Sequence, residues 1–181
     1  CVDTAPLLER SLARLAGLGW IGRNTCLINQ KVGSWVFLGE ILLSLGLEPD
    51  SPAPDRCGTC RRCIDACPTQ AIVPSGEGWT LDARLCISYF TIELRGPIPR
   101  EQRGAMGRHV FGCDICQAVC PWNHFAPPEG DSAFRGTPAS HEPQLITELD
   151  LSPSEFNRKF KDSAIRRPRR RGYLRNASVA L

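Results

Sequence analysis

The sequence has no apolar stretch long enough to cross a membrane. Its most extended one, Trp35 to Leu47, is interrupted by Glu40 and falls short of the roughly 20 residues that a spanning helix needs. The residues given include no targeting peptide, which leaves an upstream one open. Zinc-finger and RRM signatures are missing, and histidine is scarce: only His109, His124 and His141. A chain that is 42% hydrophobic and 23% charged is neither collagen nor a disordered polymer. Its 181 residues suffice to bury a core, as one domain or two small ones. The chain opens on Cys1 rather than Met and stops inside a helical pattern at Leu181, so it reads as a fragment.

What it has in abundance is cysteine. Eight of its ten cysteines fall between Cys57 and Cys120. A secreted disulfide framework is the plain reading of such a count, but the spacing argues for something else. Cys57, Cys60, Cys63 and Cys67 form C-x2-C-x2-C-x3-C, followed at once by Pro68. This is the bacterial ferredoxin run, in which the fourth cysteine serves the other cluster of a pair. A split copy, Cys113-x2-Cys116-x3-Cys120-Pro121, lacks its first position, and Cys86 is the cysteine upstream that can fill it. Exchanging the fourth ligands gives two [4Fe-4S] sites. One takes Cys57, Cys60, Cys63 and Cys120; the other takes Cys67, Cys86, Cys113 and Cys116. Zinc is the main rival, since C-x2-C pairs also build zinc knuckles. It needs neither four cysteines in one run nor a displaced copy ending in Cys-Pro. Cys1 and Cys26 lie outside the pattern, and Cys26 reads as a small buried hydrophobe.

Around the cysteines the patterning is mixed α and β. Leu7, Leu8, Leu12 and Leu15 are helically spaced, with Thr4 as N-cap, Pro6 in the first turn and Gly17 and Gly19 as the stop. Thr25–Ile28 and Ser34–Leu38 read as short strands around a turn ending in Gly33, and Gly39–Leu47 as a helix. Residues 1–54 thus resemble the last part of a larger α/β domain. Pro49–Pro54 is a linker into a cluster module at 55–126, where Asp82 caps a short helix carrying Cys86. Pro127–Pro143 reads as a loop within the last segment, 127–181. There Ser152-Pro153-Ser154-Glu155 forms a capping box, Phe156 and Phe160 share a helix face, and a further helix starts near Arg171.

Charge is unevenly spread. Residues 158–175 hold nine Lys or Arg against the single acid Asp162, a local +8 in a chain whose net charge is +3. A charge run is usually a solvated face, but this density exceeds what solubility requires, and phosphate backbone is the obvious polyanion. Low-potential clusters move single electrons. A module embedded between a patterned α/β segment and a basic tail favours an enzyme with an internal electron wire over a free carrier.

Further motifs carry a resemblance. Cys1-Val2-Asp3-Thr4-Ala5-Pro6, Gly17-Leu18-Gly19-Trp20-Ile21-Gly22-Arg23-Asn24-Thr25-Cys26-Leu27-Ile28 and Gly33-Ser34-Trp35-Val36-Phe37-Leu38-Gly39-Glu40 closely resemble the epoxyqueuosine reductase family. So do Cys86-Ile87-Ser88-Tyr89, Gly112-Cys113-Asp114-Ile115-Cys116-Gln117 and Arg175-Asn176-Ala177. The resemblance implies a cytoplasmic bacterial enzyme that takes the last step of queuosine synthesis, reducing an epoxide on a tRNA anticodon base to an alkene. It implies two [4Fe-4S] clusters passing electrons from a low-potential donor to cobalamin, which attacks an epoxide carbon. A monomer is expected. The implied fold is α+β: the end of a corrinoid-binding domain, a two-cluster ferredoxin module, then the opening of HEAT-like helical repeats.

Asp3 matches the family's proton donor. A carboxylate just before a helix is also favoured by the dipole, which lowers its pKa, whereas a donor needs the opposite shift from burial against the corrin. Asn24, Leu27, Ser34, Leu38, Ser88 and Asp114, with Asp3, fall in segments that the resemblance places along cobalamin; Leu27 and Leu38 suit ordinary core as well. Asp114, between two ligands of the second cluster, suggests that this cluster is the one nearer cobalt. Arg166, Arg167, Arg169, Arg170, Arg171 and Arg175 become candidates for tRNA contact. The histidines receive no role. A cobalamin-dependent reductive dehalogenase shares this plan but uses a Tyr donor. A plain ferredoxin-type carrier would bind neither corrinoid nor tRNA.

Overall fold

The structure, a computed structural model, describes residues 6–76, 78–127 and 143–181. These residues fall into two compact units. The first holds the described residues of Cys1–Cys67, Ile72–Leu81 and Ile115–Pro128; the second holds those of Pro68–Ala71, Asp82–Asp114 and Glu129–Leu181. The first mixes short helices with two antiparallel strand pairs and the second is helical among its described residues, an α+β composition for the chain. Among the described residues no helix is long and apolar enough to cross a membrane.

The first unit opens with a helix over Glu9–Leu15. Gly17, at φ +70°, ends it: the Leu18 amide donates to Ala13 O and the Gly17 amide to Arg14 O, a Schellman closure that satisfies the last carbonyls. Thr4, expected as the cap, lies outside the described residues, and Leu8 occupies the N-cap position. An antiparallel pair follows, Trp20 opposite Ile28 and Ile21 opposite Leu27. A Cβ on Gly19 would stand 2.1 Å from Ile28 O, so this close approach requires glycine. Trp20 and Ile28 are buried with Cys120 in the unit's apolar core.

Three expected elements are corrected here. The strand expected over Thr25–Ile28 is confined to Leu27–Ile28, because Thr25 is in the turn at φ 62°. Neither a strand over Ser34–Leu38 nor a helix over Gly39–Leu47 forms. Phe37, Ile41 and Leu42 are 83%, 84% and 78% exposed. A helix in a protein draws most of its stability from packing an apolar face, and the apolar side chains of this segment are left largely exposed. A second hairpin, Ile72–Ser75 with Gly78–Leu81, was not anticipated. Its signal was Pro-Ser-Gly-Glu-Gly between two β-prone stretches.

In the second unit the Asp82 side chain accepts from the Arg84 amide and opens a 3-10 turn over Ala83–Leu85 that delivers Cys86. A π-helical turn, Tyr89–Glu93, follows. Ile87, Phe90, Ile98 and Met106 form one core. Phe156, Phe160 and Tyr173 form another, with ring centroids 4.9–5.7 Å apart. The capping box is present: Ser152 Oγ accepts from the Glu155 amide at 3.3 Å and Glu155 Oε2 accepts from the Ser152 amide at 2.8 Å. It starts the helix Pro153–Lys159, and a final helix covers Arg169–Ala180.

Candidate metal centre

The cysteine run is shaped by local hydrogen bonds. Asp55 Oδ1 accepts from the Cys57 amide at 2.7 Å, and the Cys60 amide turns back onto Cys57 O at 3.1 Å. Cys63 rides on the single helical turn Arg62–Asp65, and the Cys67 amide closes onto Ile64 O at 3.3 Å. Far along the chain, Cys120 enters the first unit immediately before a 3-10 turn, Pro121–Phe125, that carries proline in its first turn.

These pieces enclose a cavity of about 300 Å³. Its wall carries Cys57, Cys60, Cys63 and Cys120, beside Asn24 and Trp122. That quartet is the one obtained by exchanging fourth ligands between the two cysteine runs. Cys57, Cys60, Cys63 and Cys120 are free thiols. Burial, then the neighbouring Cys116, Cys57 and Cys120, pushes the Cys63 thiol up to about 11. Burial raises Cys120 too, against backbone N–H groups of Trp122 and Asn123 that favour its thiolate. Four thiols crowded in one half-buried wall disfavour each other's ionisation; a cationic iron centre reverses that balance. Among the described residues no group of three or more His, Cys, Asp or Glu is placed to hold a metal ion. Thiols spread around a cavity of this size fit a multi-atom iron–sulfur group that bridges them. Positive charge lies close by: Arg23, Arg56 and Arg62 also line the cavity, and Arg23 Nη2 donates to Gly58 O at 2.6 Å, inside the Cys57–Cys60 loop.

Of the other expected ligands, Cys67 and Cys116 belong to the first unit and Cys86 and Cys113 to the second. Asp3 lies outside the described residues, as do Cys1 and His141. Several residues expected along cobalamin are engaged within their own unit. Asn24 is buried, donating to Cys116 O at 3.2 Å and accepting from the Cys26 amide. Ser34 is buried; its amide donates to Asn123 Oδ1 at 2.6 Å and its hydroxyl to Gln117 Oε1 at 2.9 Å. Leu27 is core. Leu38 is half-buried and Asp114 exposed, while the Ser88 hydroxyl reaches Cys113 O at 3.4 Å. Cys26, expected to be buried, is intermediate.

Sequence reasoning missed the role of Asn123. Its Nδ2 donates to Gln117 O at 2.7 Å and to Ser34 Oγ at 2.9 Å, joining the segment after Cys116 to residues 33–34. A Cβ on Gly33 would meet Asn123 Oδ1 at 2.2 Å. No local pattern announces a link across 89 residues; the one cue was an amide side chain just after Cys-Pro.

The basic tail divides into outward and inward arginines. Arg166, Arg169 and Arg171 are exposed. Arg167 is exposed but pairs with Glu93 at 2.6 Å, and Arg170 Nε donates to Leu151 O. Arg175 is turned inward. Its guanidinium donates to Leu94 O, Gly96 O and Phe90 O, each at 2.6 Å. Beside it the fully buried Asn176 donates to Thr91 O and Val110 O, each at 2.8 Å. His109 Nδ1 contacts Met106 O at 2.8 Å, a local structural contact.

Comparison with known proteins places this site. A family model described as a 4Fe-4S double cluster binding domain matches residues 56–123. The epoxyqueuosine reductase of Xanthomonas campestris is 51% identical over 180 residues, 99% of this chain and 50% of that protein. The Escherichia coli enzyme of the same name is 46% identical, over 99% of this chain and 47% of its own length. A crystal structure of epoxyqueuosine reductase with an epoxyqueuosine-modified tRNA-Tyr stem loop superposes with a TM-score of 0.93 at 36% identity, covering 100% of this chain and 47% of that one. A Streptococcus thermophilus epoxyqueuosine reductase gives 0.87 at 36% identity. The chain spans about half the length of the curated relatives it matches. From end to end this chain is similar in sequence and fold to one half of these epoxyqueuosine reductases.

Proposed function

We propose that the protein containing this chain reduces epoxyqueuosine to queuosine in the tRNA anticodon, using two [4Fe-4S] clusters and cobalamin. The observation that carries this reading is the cavity walled by Cys57, Cys60, Cys63 and Cys120, within a chain matched throughout by epoxyqueuosine reductases. Those four residues hold the first cluster; Cys67, Cys86, Cys113 and Cys116 hold the second, a set that rests on the spacing of the two runs. Cobalamin, when bound, supplies the strong nucleophile that opens an epoxide. Asp3 gives the proton that the opened ring oxygen requires. Leu38, Ser88 and Asp114 lie in segments facing the corrinoid, while Asn24, Leu27 and Ser34 support such segments from within.

In this reading the domains are a corrinoid-binding portion over 1–54, the two-cluster module over 55–126, and the opening of basic helical repeats over 127–181. Arg166, Arg169 and Arg171 meet tRNA phosphates, with Arg167 and Arg170 beside them; the contacts of Arg175 make it a brace of the second unit. The protein acts in the cytoplasm as a monomer and draws electrons from a low-potential carrier.

The test uses full-length protein, reconstituted anaerobically with iron, sulfide and cobalamin. It is incubated with epoxyqueuosine-containing tRNA and a low-potential reductant, and the digested nucleoside is weighed. Loss of one oxygen, dependent on added cobalamin, is expected: two electrons and two protons release that oxygen as water. An unchanged mass, with clusters, cobalamin and tRNA all bound, overturns the assignment.

A further inference from the structure

An indole N–H donates a hydrogen bond and accepts none, and a buried donor almost always has a partner. Trp20 departs from that rule. The residue is 2% exposed, and its Nε1 has no hydrogen-bond partner among the described residues. The ring is held in place on several sides. Its backbone pairs with Ile28, and Trp122 meets it edge-on with centroids 5.0 Å apart at 78°. Its core neighbours include two sulfur-bearing side chains, Cys120 within the cluster of buried residues and Cys57 packed against it. Both line the 300 Å³ cavity.

A neutral thiol accepts a hydrogen bond weakly. A thiolate bound to iron, or a bridging sulfide, carries negative charge and accepts far better. The unpartnered donor and two of the cavity's cysteines share one core cluster. We propose that Trp20 Nε1–H donates a hydrogen bond to a sulfur of the cluster held by Cys57, Cys60, Cys63 and Cys120, and so raises that cluster's reduction potential. The proposal rests on the ligand assignment above. Reduction adds one electron to the cluster, and a donor aimed at sulfur stabilises the more negative state. Burial by Trp20, Trp122 and Ile28 acts in the opposite direction, so the indole N–H offsets the cost of a dry site. Trp20 is thus a tuning residue that acts on the cluster without ligating it.

The decisive variant is Trp20→Phe in the full-length, anaerobically reconstituted protein, which keeps an aromatic ring and deletes the N–H. Reductive titration followed by electron paramagnetic resonance should show one of the two cluster potentials falling. The expected change is at least about threefold in the reduction equilibrium, ~30 mV at 59 mV per tenfold for one electron. The other potential should stay. No shift, or an equal shift of both clusters, overturns the proposal. If Trp20→Phe fails to assemble, the unsubstituted sequence answers instead. Protein carrying tryptophan labelled with ¹⁵N in the indole should show a nitrogen coupling to the reduced cluster that survives Trp122→Phe; absence of the coupling overturns the proposal. Iron analysis separates the two levels of inference. If Cys120→Ala leaves both clusters in place, the ligand assignment falls and takes the Trp20 proposal with it. If it removes one cluster while Trp20→Phe shifts nothing, the Trp20 proposal falls alone.

Discussion

The two units of this chain hold themselves together by different means. In the first, regular structure is short: a helix of seven residues, a two-residue strand pair, the hairpin of Ile72–Ser75 with Gly78–Leu81, single turns bearing cysteine, and a core of Trp20, Ile28 and Cys120 with Cys57 packed against it. In the second, Phe156, Phe160 and Tyr173 stack on one another, while Arg175 and Asn176 satisfy backbone carbonyls around the π-helical turn. Glu148, buried, accepts from the Tyr173 hydroxyl at 3.0 Å and pairs with Lys159, so a buried charge there has its partners built in. Burial and Glu148 push the Tyr173 hydroxyl well above its ordinary range. In the second unit these buried polar groups have protein partners; in the first, four thiols line a cavity and the buried Trp20 Nε1 has no partner among the described residues.

Four experiments sharpen or break that contrast, in descending order of effect. Withholding iron should act most strongly. Hydrogen exchange on the full-length protein should lose protection over residues 57–67 and 115–125 and keep it over 153–180; equal loss in both regions would erase the distinction. Next comes Asn176→Ala, which strands Thr91 O and Val110 O in a buried site. Each unsatisfied group costs about 1–3 kcal/mol, so a denaturant melt should show a clear loss of stability while iron content per folded molecule stays constant. Ser152→Ala removes the capping box and should cost about 1 kcal/mol, again with iron unchanged.

The smallest effect concerns acid. Hydrogen bonds from Ser152, side chain then backbone, hold the Glu155 carboxyl below its ordinary value. A carboxyl depressed in the folded state contributes stability that is present above its unfolded pKa and lost as pH falls through the folded value. Melting temperatures should therefore decline below the ordinary carboxylate range, slightly less steeply in Glu155→Gln. Identical slopes would remove Glu155 from the account.

How legible was this molecule in its sequence? Where the physics is local, the sequence was read well. Ser152-Pro153-Ser154-Glu155 makes its capping box from atoms three residues apart, and Asp82 opens the turn before Cys86 for the same reason. The expected strand at Ser34–Leu38 and helix at Gly39–Leu47 failed because apolar periodicity describes a face and says nothing of what covers it. The resemblance placed Ser34 and Asn24 in segments along cobalamin; the hydrogen bonds of their side chains and of the Ser34 amide, to Asn123, Gln117 and Cys116, had no cue in the sequence.

The sequence by itself determined the chemistry: which thiols stand two or three residues apart, where proline turns the chain after them, and where positive charge concentrates. These are properties of neighbours, set by bond geometry within a turn or two. Tertiary structure alone decided which distant groups share a wall. It brought Cys120 to Cys57, Cys60 and Cys63, turned Arg175 inward to a carbonyl 85 residues away, and buried Trp20 in the core cluster of Cys120 with its Nε1 unpartnered among the described residues. Such pairings depend on how buried surfaces fit in three dimensions, which no periodicity along a chain encodes.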